Sequence, residues 1–156
     1  MFLYILKITS NSQAKEKLFS WYFKGWSLKR FNEVCVGFSV RINEILRPEI
    51  IGIVNERKKA GDHIYIVSAS IENWVIPWAE KRGITVLATQ IATDYNQRLT
   101  GKFKSKNCYG KEKVNRLSAA LPDRKDYYLL AYGDSKGDRE MIRFADEGYL
   151  INPNKN

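Results

Sequence analysis

Residues 127–138 read YYLLAYGDSKGD and join an apolar run to a loop rich in glycine and aspartate. The apolar run predicts a buried strand, and the pattern after it predicts a helix over residues 138–145. Gly133 permits a sharp turn after the strand, and Asp134 lies four residues before Asp138. Two carboxylates that converge here suit Mg²⁺, although the same residues also suit a turn with a capping aspartate.

The alternation of strand and helix continues over the second part of the chain, from residue 62 onward. We predict further strands at 63–67, 84–91 and 149–151, an extended segment that ends at 103 after a turn at 94–97, and helices at 72–82 and 110–121. This order is typical of an α/β domain with a mostly parallel sheet. Ligands of such sheets lie beyond the carboxyl ends of the strands, so the loops that follow them are candidate sites.

The first sixty residues instead have the periodicity of helices. Ser27 is a preferred cap for one helix, and Pro48 suits the first turn of another. Gly25 and Gly61 are suited to end the helices that precede them. An earlier helix is predicted from residue 13, with Ser10 or Ser12 as its cap. The run FLYILKI at 2–8 can form a strand, but its position favours the helical region.

Two other segments carry candidate phosphate-binding groups. The sequence IVSAS at 66–70 places the Ser68 hydroxyl at the end of a strand, where backbone N–H groups such as that of Ala69 also bind anions. The sequence NCYGKEKV at 107–114 contains Lys113, whose charge can neutralise a phosphoryl group. The alternatives are that Ser68 only caps a helix and that Lys113 is an ordinary surface lysine. Lys111 competes for the same role.

In this order, the segments IVSAS, NCYG and YGDSKGDREM resemble motifs two, three and four of the haloacid dehalogenase (HAD) superfamily. The match is closest to the phosphoserine-phosphatase-like branch, subfamily IB. This resemblance implies an α/β fold with a three-layer, mostly parallel Rossmann-like sheet and a helical cap of the C1 type. We therefore expect a cap over residues 1–48, incomplete at its start, and an incomplete core over residues 49–156.

The resemblance also implies a role for each candidate residue in a Mg²⁺-dependent phosphomonoester hydrolase. Ser68 and Ala69 would bind the transferring phosphoryl group, and Lys113 would hold the charges of the nucleophile and the phosphoryl group together. Asp134 would bind Mg²⁺ directly, and Asp138 would support the metal. Such groups stabilise the charge that develops during transfer.

One motif of that family has no counterpart in this sequence. The family's first strand ends in D-x-D-x-T, whose first aspartate attacks phosphorus and whose second acts as general acid and base. No aspartate precedes Asp62 in this chain. We therefore expect the chain alone to be inactive and the core to lack its central first strand. A start upstream, a truncated gene or a second polypeptide would each explain this.

Composition limits the classes of function and partner. The formal net charge is +9, which suits anionic ligands, and the single histidine argues against a Ser-His-Asp triad. Two cysteines without a CxxC pair favour a reducing, cytoplasmic protein without a disulfide framework. The predicted partner is a small phosphorylated substrate; no nucleic acid and no membrane span are expected, and the unpaired sheet centre favours self-association.

A second class of function stays open, namely a basic module that binds a phosphorylated ligand, nucleic acid or protein without chemistry. The absent nucleophile and the positive charge motivate this alternative.

Overall fold

The structure is a computed structural model that describes residues 11–151. Its helices are α1 (Asn11–Phe23), α2 (Leu28–Arg41), α3 (Pro48–Lys59), α4 (Glu72–Glu80), α5 (Lys111–Ala120) and α6 (Arg139–Phe144). Its strands are β1 (Tyr65–Ile71), β2 (Thr85–Thr89), β3 (Ile91–Thr93), β4 (Leu99–Phe103), β5 (Leu130–Gly133) and β6 (Glu147–Leu150). The predicted alternation of strands and helices after residue 62 is therefore confirmed.

The ends of the first helices follow the capping residues that the sequence offers. Ser27 has an extended backbone, and its side chain accepts a hydrogen bond from the Arg30 amide at the start of α2. Pro48 begins α3, where the missing N–H of proline costs no hydrogen bond. Gly25 and Gly61, which follow α1 and α3, have φ angles of +84° and +89°, and glycine adopts this left-handed region without strain.

The strands of the described residues form three pairs. Strands β1 and β2 are parallel, β5 and β6 are parallel, and β3 and β4 form an antiparallel hairpin. Within residues 11–151, no ladder of hydrogen bonds joins β1 to β5. This mixed architecture of helices and short parallel strand pairs confirms the predicted α/β fold class.

The core has layers on both faces of the β1–β2 pair. Successive residues of a strand point to opposite faces. Ile66 packs against the cluster that contains Trp78, on the side of α4, whereas Val67 packs against the cluster of Leu117 and Met141, on the side of α5 and α6. The sheet is therefore covered by helices on both sides, as a parallel sheet requires.

A third cluster is aromatic and joins α1 and α2 to the β3–β4 hairpin. Phe31 is fully buried at its centre, and the rings of Phe19, Phe23 and Trp74 lie 5.7, 5.1 and 5.0 Å from its ring. All three contacts are edge-on, the arrangement that aromatic quadrupoles favour. This cluster fixes α1 beside the core.

The predicted strands differ in extent from the observed ones, most of all at two segments. The segment predicted at 63–67 begins and ends later, as β1. The segment predicted at 84–91 is two strands, because the Gln90 amide donates to Ser105 Oγ (2.9 Å) and its carbonyl accepts from the Lys104 amide (2.8 Å). These hydrogen bonds to residues 104 and 105 turn the chain into the β3–β4 hairpin. The local pattern of apolar residues does not predict them, because their partners are distant in sequence.

The run at 2–8 and Ser10 lie outside the described residues. None of the helices within residues 11–151 is long and apolar enough to cross a membrane.

Replacing Phe31 by Ala tests the aromatic cluster. We expect the free energy of unfolding to fall by about 3 to 5 kcal/mol, because the change leaves a cavity among rings that cannot close around it. Val40→Ala is the matched control on the same helix, since Val40 is 67% exposed, and its effect should stay within about 0.5 kcal/mol. Urea unfolding followed by circular dichroism measures both; equal losses would contradict the assignment of this core.

Candidate active site

The middle of β1, the loop after β5 and the first turn of α5 meet at one side chain, that of Lys113. Its Nζ donates to the Val67 carbonyl at 2.6 Å and to Asp138 Oδ1 at 2.5 Å. The Lys113 and Asp138 side chains are only 9% and 8% exposed. Thus three segments that are distant in sequence, around residues 67, 113 and 138, are held together by one buried ion pair.

The loop after β5 is built around Asp138. The second oxygen of Asp138 accepts from the Ser135 amide (3.0 Å) and the Ser135 hydroxyl (2.5 Å). A Cβ atom on Gly133 would lie 2.4 Å from the Asp138 Cβ, and one on Gly137 would lie 2.3 Å from the Tyr109 ring. A side chain at either position would therefore clash with Asp138 or Tyr109. The Gly137 carbonyl also accepts a hydrogen bond from the Gly110 amide at the start of α5 (3.0 Å).

The Asp138 carboxylate is ionised at neutral pH. Burial alone would raise the pKa of Asp138, but the hydrogen bonds and charge of Lys113 and the bonds from Ser135 outweigh it and lower the pKa below its usual value. The pair is thus a carboxylate and an ammonium group that each compensate the other's loss of water.

Ser68 and Ala69 lie in the second half of β1, next to this pair. The Ser68 hydroxyl accepts a hydrogen bond from the Ser70 amide at 3.1 Å. The Ala69 carbonyl accepts from the Thr89 hydroxyl at 2.9 Å and from Lys15. Lys113 contacts the carbonyl of the residue before Ser68, and Lys15 and Thr89 contact the carbonyl of the residue after it.

Asp134 and Lys111 occupy more open positions. The Asp134 side chain is 53% exposed, and Arg47 Nη1 lies 3.7 Å from its Oδ2. Arg47, just before α3, also contacts Glu49 at 2.6 Å. Lys111, at the first position of α5, is exposed, whereas Lys113 is buried. The structure therefore places Lys113, and not Lys111, against the carboxylate of the GDxxxD loop.

A Mg²⁺ ion requires several oxygen ligands at one position. Within residues 11–151, no group of three or more His, Cys, Asp or Glu side chains is arranged to hold a metal ion. Asp134 offers an exposed carboxylate, while both oxygens of Asp138 accept hydrogen bonds. The described side chains alone therefore do not form a complete metal site.

Sequence reasoning did not find three residues that the structure brings to this region. Lys15 Nζ contacts the Ala69 carbonyl and lies 3.2 Å from Asn107 Oδ1, and Arg47 lies beside Asp134. The Thr89 hydroxyl also lies 3.3 Å from Asn107 Oδ1. No local pattern indicates such contacts, because they join residues 54 and 92 positions apart.

This chain belongs to the haloacid dehalogenase-like hydrolase family, whose sequence model matches residues 1–143. Protein CicA of Caulobacter vibrioides is 36% identical over 110 residues, which cover 69% of this chain and 49% of CicA. Histidinol-phosphatase of Neisseria meningitidis serogroup C is 29% identical over 110 residues, which cover 65% of this chain and 48% of that enzyme. The chain thus spans about half the length of these curated relatives.

Two solved structures share the fold. A protein of unknown function from Bordetella pertussis Tohama I superimposes with a TM-score of 0.74 at 20% identity, covering 88% of this chain and 64% of that one. A HAD family hydrolase from Salmonella enterica serovar Typhi gives a TM-score of 0.64 at 17% identity, covering 91% of this chain and 47% of that one. At these identities the likeness establishes the fold alone.

Replacing Asp138 by Asn tests the buried pair. The change leaves the Lys113 charge without its partner, and removing one member of a buried pair costs about 3 to 5 kcal/mol of unfolding free energy. The folded-state pKa of Asp138 lies below its unfolded value, so the unfolded chain binds more protons as the pH falls. Its contribution is therefore present above the unfolded pKa of about 3.9 and is lost as the pH falls through the folded value.

The matched control is Asp134→Asn, which changes an exposed carboxylate in the same loop and should cost about 1 kcal/mol or less. Urea unfolding at pH 7 and at pH 3 measures both effects. The difference between Asp138→Asn and the unchanged chain should shrink at the lower pH; a difference that does not shrink contradicts the assignment of the pKa.

Proposed function

We propose that this chain supplies the phosphate-binding part of a HAD-type phosphatase active site, in the phosphoserine-phosphatase-like branch, for a small phosphorylated substrate. The observation that carries the proposal is the position of Lys113, whose buried ammonium group links Val67 of β1, the residue before Ser68, to the loop after β5. A histidinol-phosphatase among the relatives supports phosphomonoester hydrolysis as the reaction class.

In the proposed reaction, the residues of this chain bind and orient the phosphoryl group. The Ser68 hydroxyl donates to a phosphoryl oxygen, and the Ala69 amide assists at the end of β1. Lys113 stabilises the charge that develops on that oxygen, and Asp138 holds Lys113 in place. We propose that Mg²⁺ binds beside Asp134, with support from Asp138, and supplies further charge stabilisation when bound.

The carboxylate that attacks phosphorus is not among these residues. No aspartate precedes Asp62, and we therefore propose that the residues of this chain alone do not catalyse turnover. The proposal requires an aspartate supplied by a D-x-D-x-T segment, which forms the aspartyl-phosphate as the alcohol leaves, and water then hydrolyses that intermediate. We also propose that the helices up to residue 48 act as a cap, while residues 49–156 form the core.

The test is hydrolysis of para-nitrophenyl phosphate with Mg²⁺ by two proteins, the chain as given and the same chain with a D-x-D-x-T strand fused before Met1. We expect turnover only from the fusion. Turnover should fall at least 100-fold with Ser68→Ala or Lys113→Met and with chelation of Mg²⁺, since each removes a group that stabilises the transferring phosphoryl. Lys111→Met, which changes an exposed lysine on the same helix, is the control.

The outcomes separate the two classes of function. If the chain as given shows turnover and Asp134→Asn abolishes it, the proposed inactivity is wrong. Phosphate binding without turnover by the fusion would instead favour the alternative, a binding module without chemistry.

We further propose self-association through the edges of β1 and β5 that no ladder joins within residues 11–151. Within the described residues these strands share no ladder, and unpaired edges readily pair with another chain. Sedimentation velocity should show dimers or larger species whose share rises with concentration, and the fusion with the added strand should be monomeric. A monomer at every concentration for the chain as given contradicts this proposal.

A reducing, cytoplasmic location is also proposed, because Cys35 and Cys108 are both free and buried.

A further inference from the structure

Lys15 is a lysine from the first helix that reaches into the candidate active site. It lies in the first half of α1, and its Nζ contacts the Ala69 carbonyl and lies 3.2 Å from Asn107 Oδ1. The ammonium group also lies 5.3 Å from the centre of the Phe103 ring. The Lys15 ammonium group therefore lies against the second half of β1, next to Ser68 in sequence.

The charge of Lys15 has no carboxylate partner among the described residues. Its two oxygen partners, a carbonyl and an amide, are neutral, and burial lowers the pKa of its ammonium group. Removing a cation from water without a counter-charge costs free energy. An anion bound beside Lys15 would offset this cost, whereas the charge of Lys113 is already balanced by Asp138.

The two lysines are placed alike around Ser68. Lys113 contacts the carbonyl of Val67, the residue before Ser68, and Lys15 contacts the carbonyl of Ala69, the residue after it. Two residues along a strand span about 7 Å, so the two ammonium groups contact β1 on either side of Ser68. A lysine has three N–H donors, and within residues 11–151 each of these two uses two of them on protein oxygens.

We propose that Lys15 is a second phosphate-binding lysine, which donates its third N–H to an oxygen of the anion that Ser68 and Lys113 bind. The ligand class is a phosphoryl anion, because the site then presents one ammonium group without a counter-charge among the described residues. Asn107, with Thr89 behind it, orients Lys15. This inference rests on the proposed function, since it assumes that the phosphoryl group binds at Ser68.

The test is titration of the chain as given with inorganic phosphate at constant ionic strength, followed by amide chemical shifts in NMR spectra. Lys15→Met keeps the length of the side chain and removes its charge, and we expect it to weaken phosphate binding about tenfold. Lys15→Arg, which keeps the charge, should recover part of that loss. Lys17→Met, two residues further along α1 and exposed, should leave the affinity unchanged.

Thermal unfolding of each variant separates binding from stability. A purely structural Lys15 would lower the melting temperature in Lys15→Met without changing the phosphate affinity of the folded protein, and that result overturns the inference. Equal weakening by Lys15→Met and Lys17→Met would also overturn it, because it would show only a general effect of net charge.

Ser68→Ala distinguishes failure of this inference from failure of the proposed function. We expect this variant to weaken phosphate binding several-fold through the lost hydroxyl. If Ser68→Ala weakens binding and Lys15→Met does not, only the inference about Lys15 is wrong. If the unchanged chain binds no phosphate, or binds it independently of Ser68, the proposed function is wrong and the inference is overturned with it.

Discussion

The buried ion pair between Lys113 and Asp138 is the interaction on which the site depends. Strands β1 and β5 share no hydrogen-bonded ladder within the described residues, and this pair with the Val67 carbonyl connects β1 to the loop after β5. The apolar cluster of Leu117, Ala131 and Met141 brings the same elements together but does not select one arrangement. Apolar contacts are non-directional, whereas an ammonium group with two oxygen partners fixes the register of the segments that carry them.

The pair also explains why the loop after β5 has its particular sequence. Asp138 can reach Lys113 only if the backbone passes close to it, and a side chain at Gly133 would occupy that space. Ser135 then holds the second carboxylate oxygen, which leaves Asp138 with no unpaired oxygen. A buried charge needs such complete hydrogen bonding, because each unmet acceptor would add a desolvation cost to that of the ion pair.

The sequence was sufficient for features that depend on neighbouring residues. The Ser27 cap, the start of α3 at Pro48 and the ends at Gly25 and Gly61 depend on backbone preferences within a few positions, and the structure confirms them. The break at Gln90 was missed, because its hydrogen bonds come from residues 104 and 105 across the hairpin. Periodicity reports which residues are apolar, but it does not report which distant segment supplies a backbone partner.

The same limit applies to the candidate site. The motif residues Ser68, Lys113, Asp134 and Asp138 could be singled out because each lies at the end of a strand or in a helix with a recognisable spacing; their roles stay predictions. Lys15 could not, since it is one of the two lysines of α1, and only the packing of α1 against β4 brings it to Ala69.

The electrostatics of the site nevertheless depend on that undetected residue. Lys113 and Asp138 together contribute no net charge, and Arg47 is placed between the carboxylates of Glu49 and Asp134. Lys15, with two neutral partners, is then the uncompensated charge among these groups. The neutral Lys113–Asp138 pair fixes the positions of the segments that carry it, whereas the uncompensated ammonium group of Lys15 attracts an anion. The two lysines therefore make different contributions to one proposed binding site.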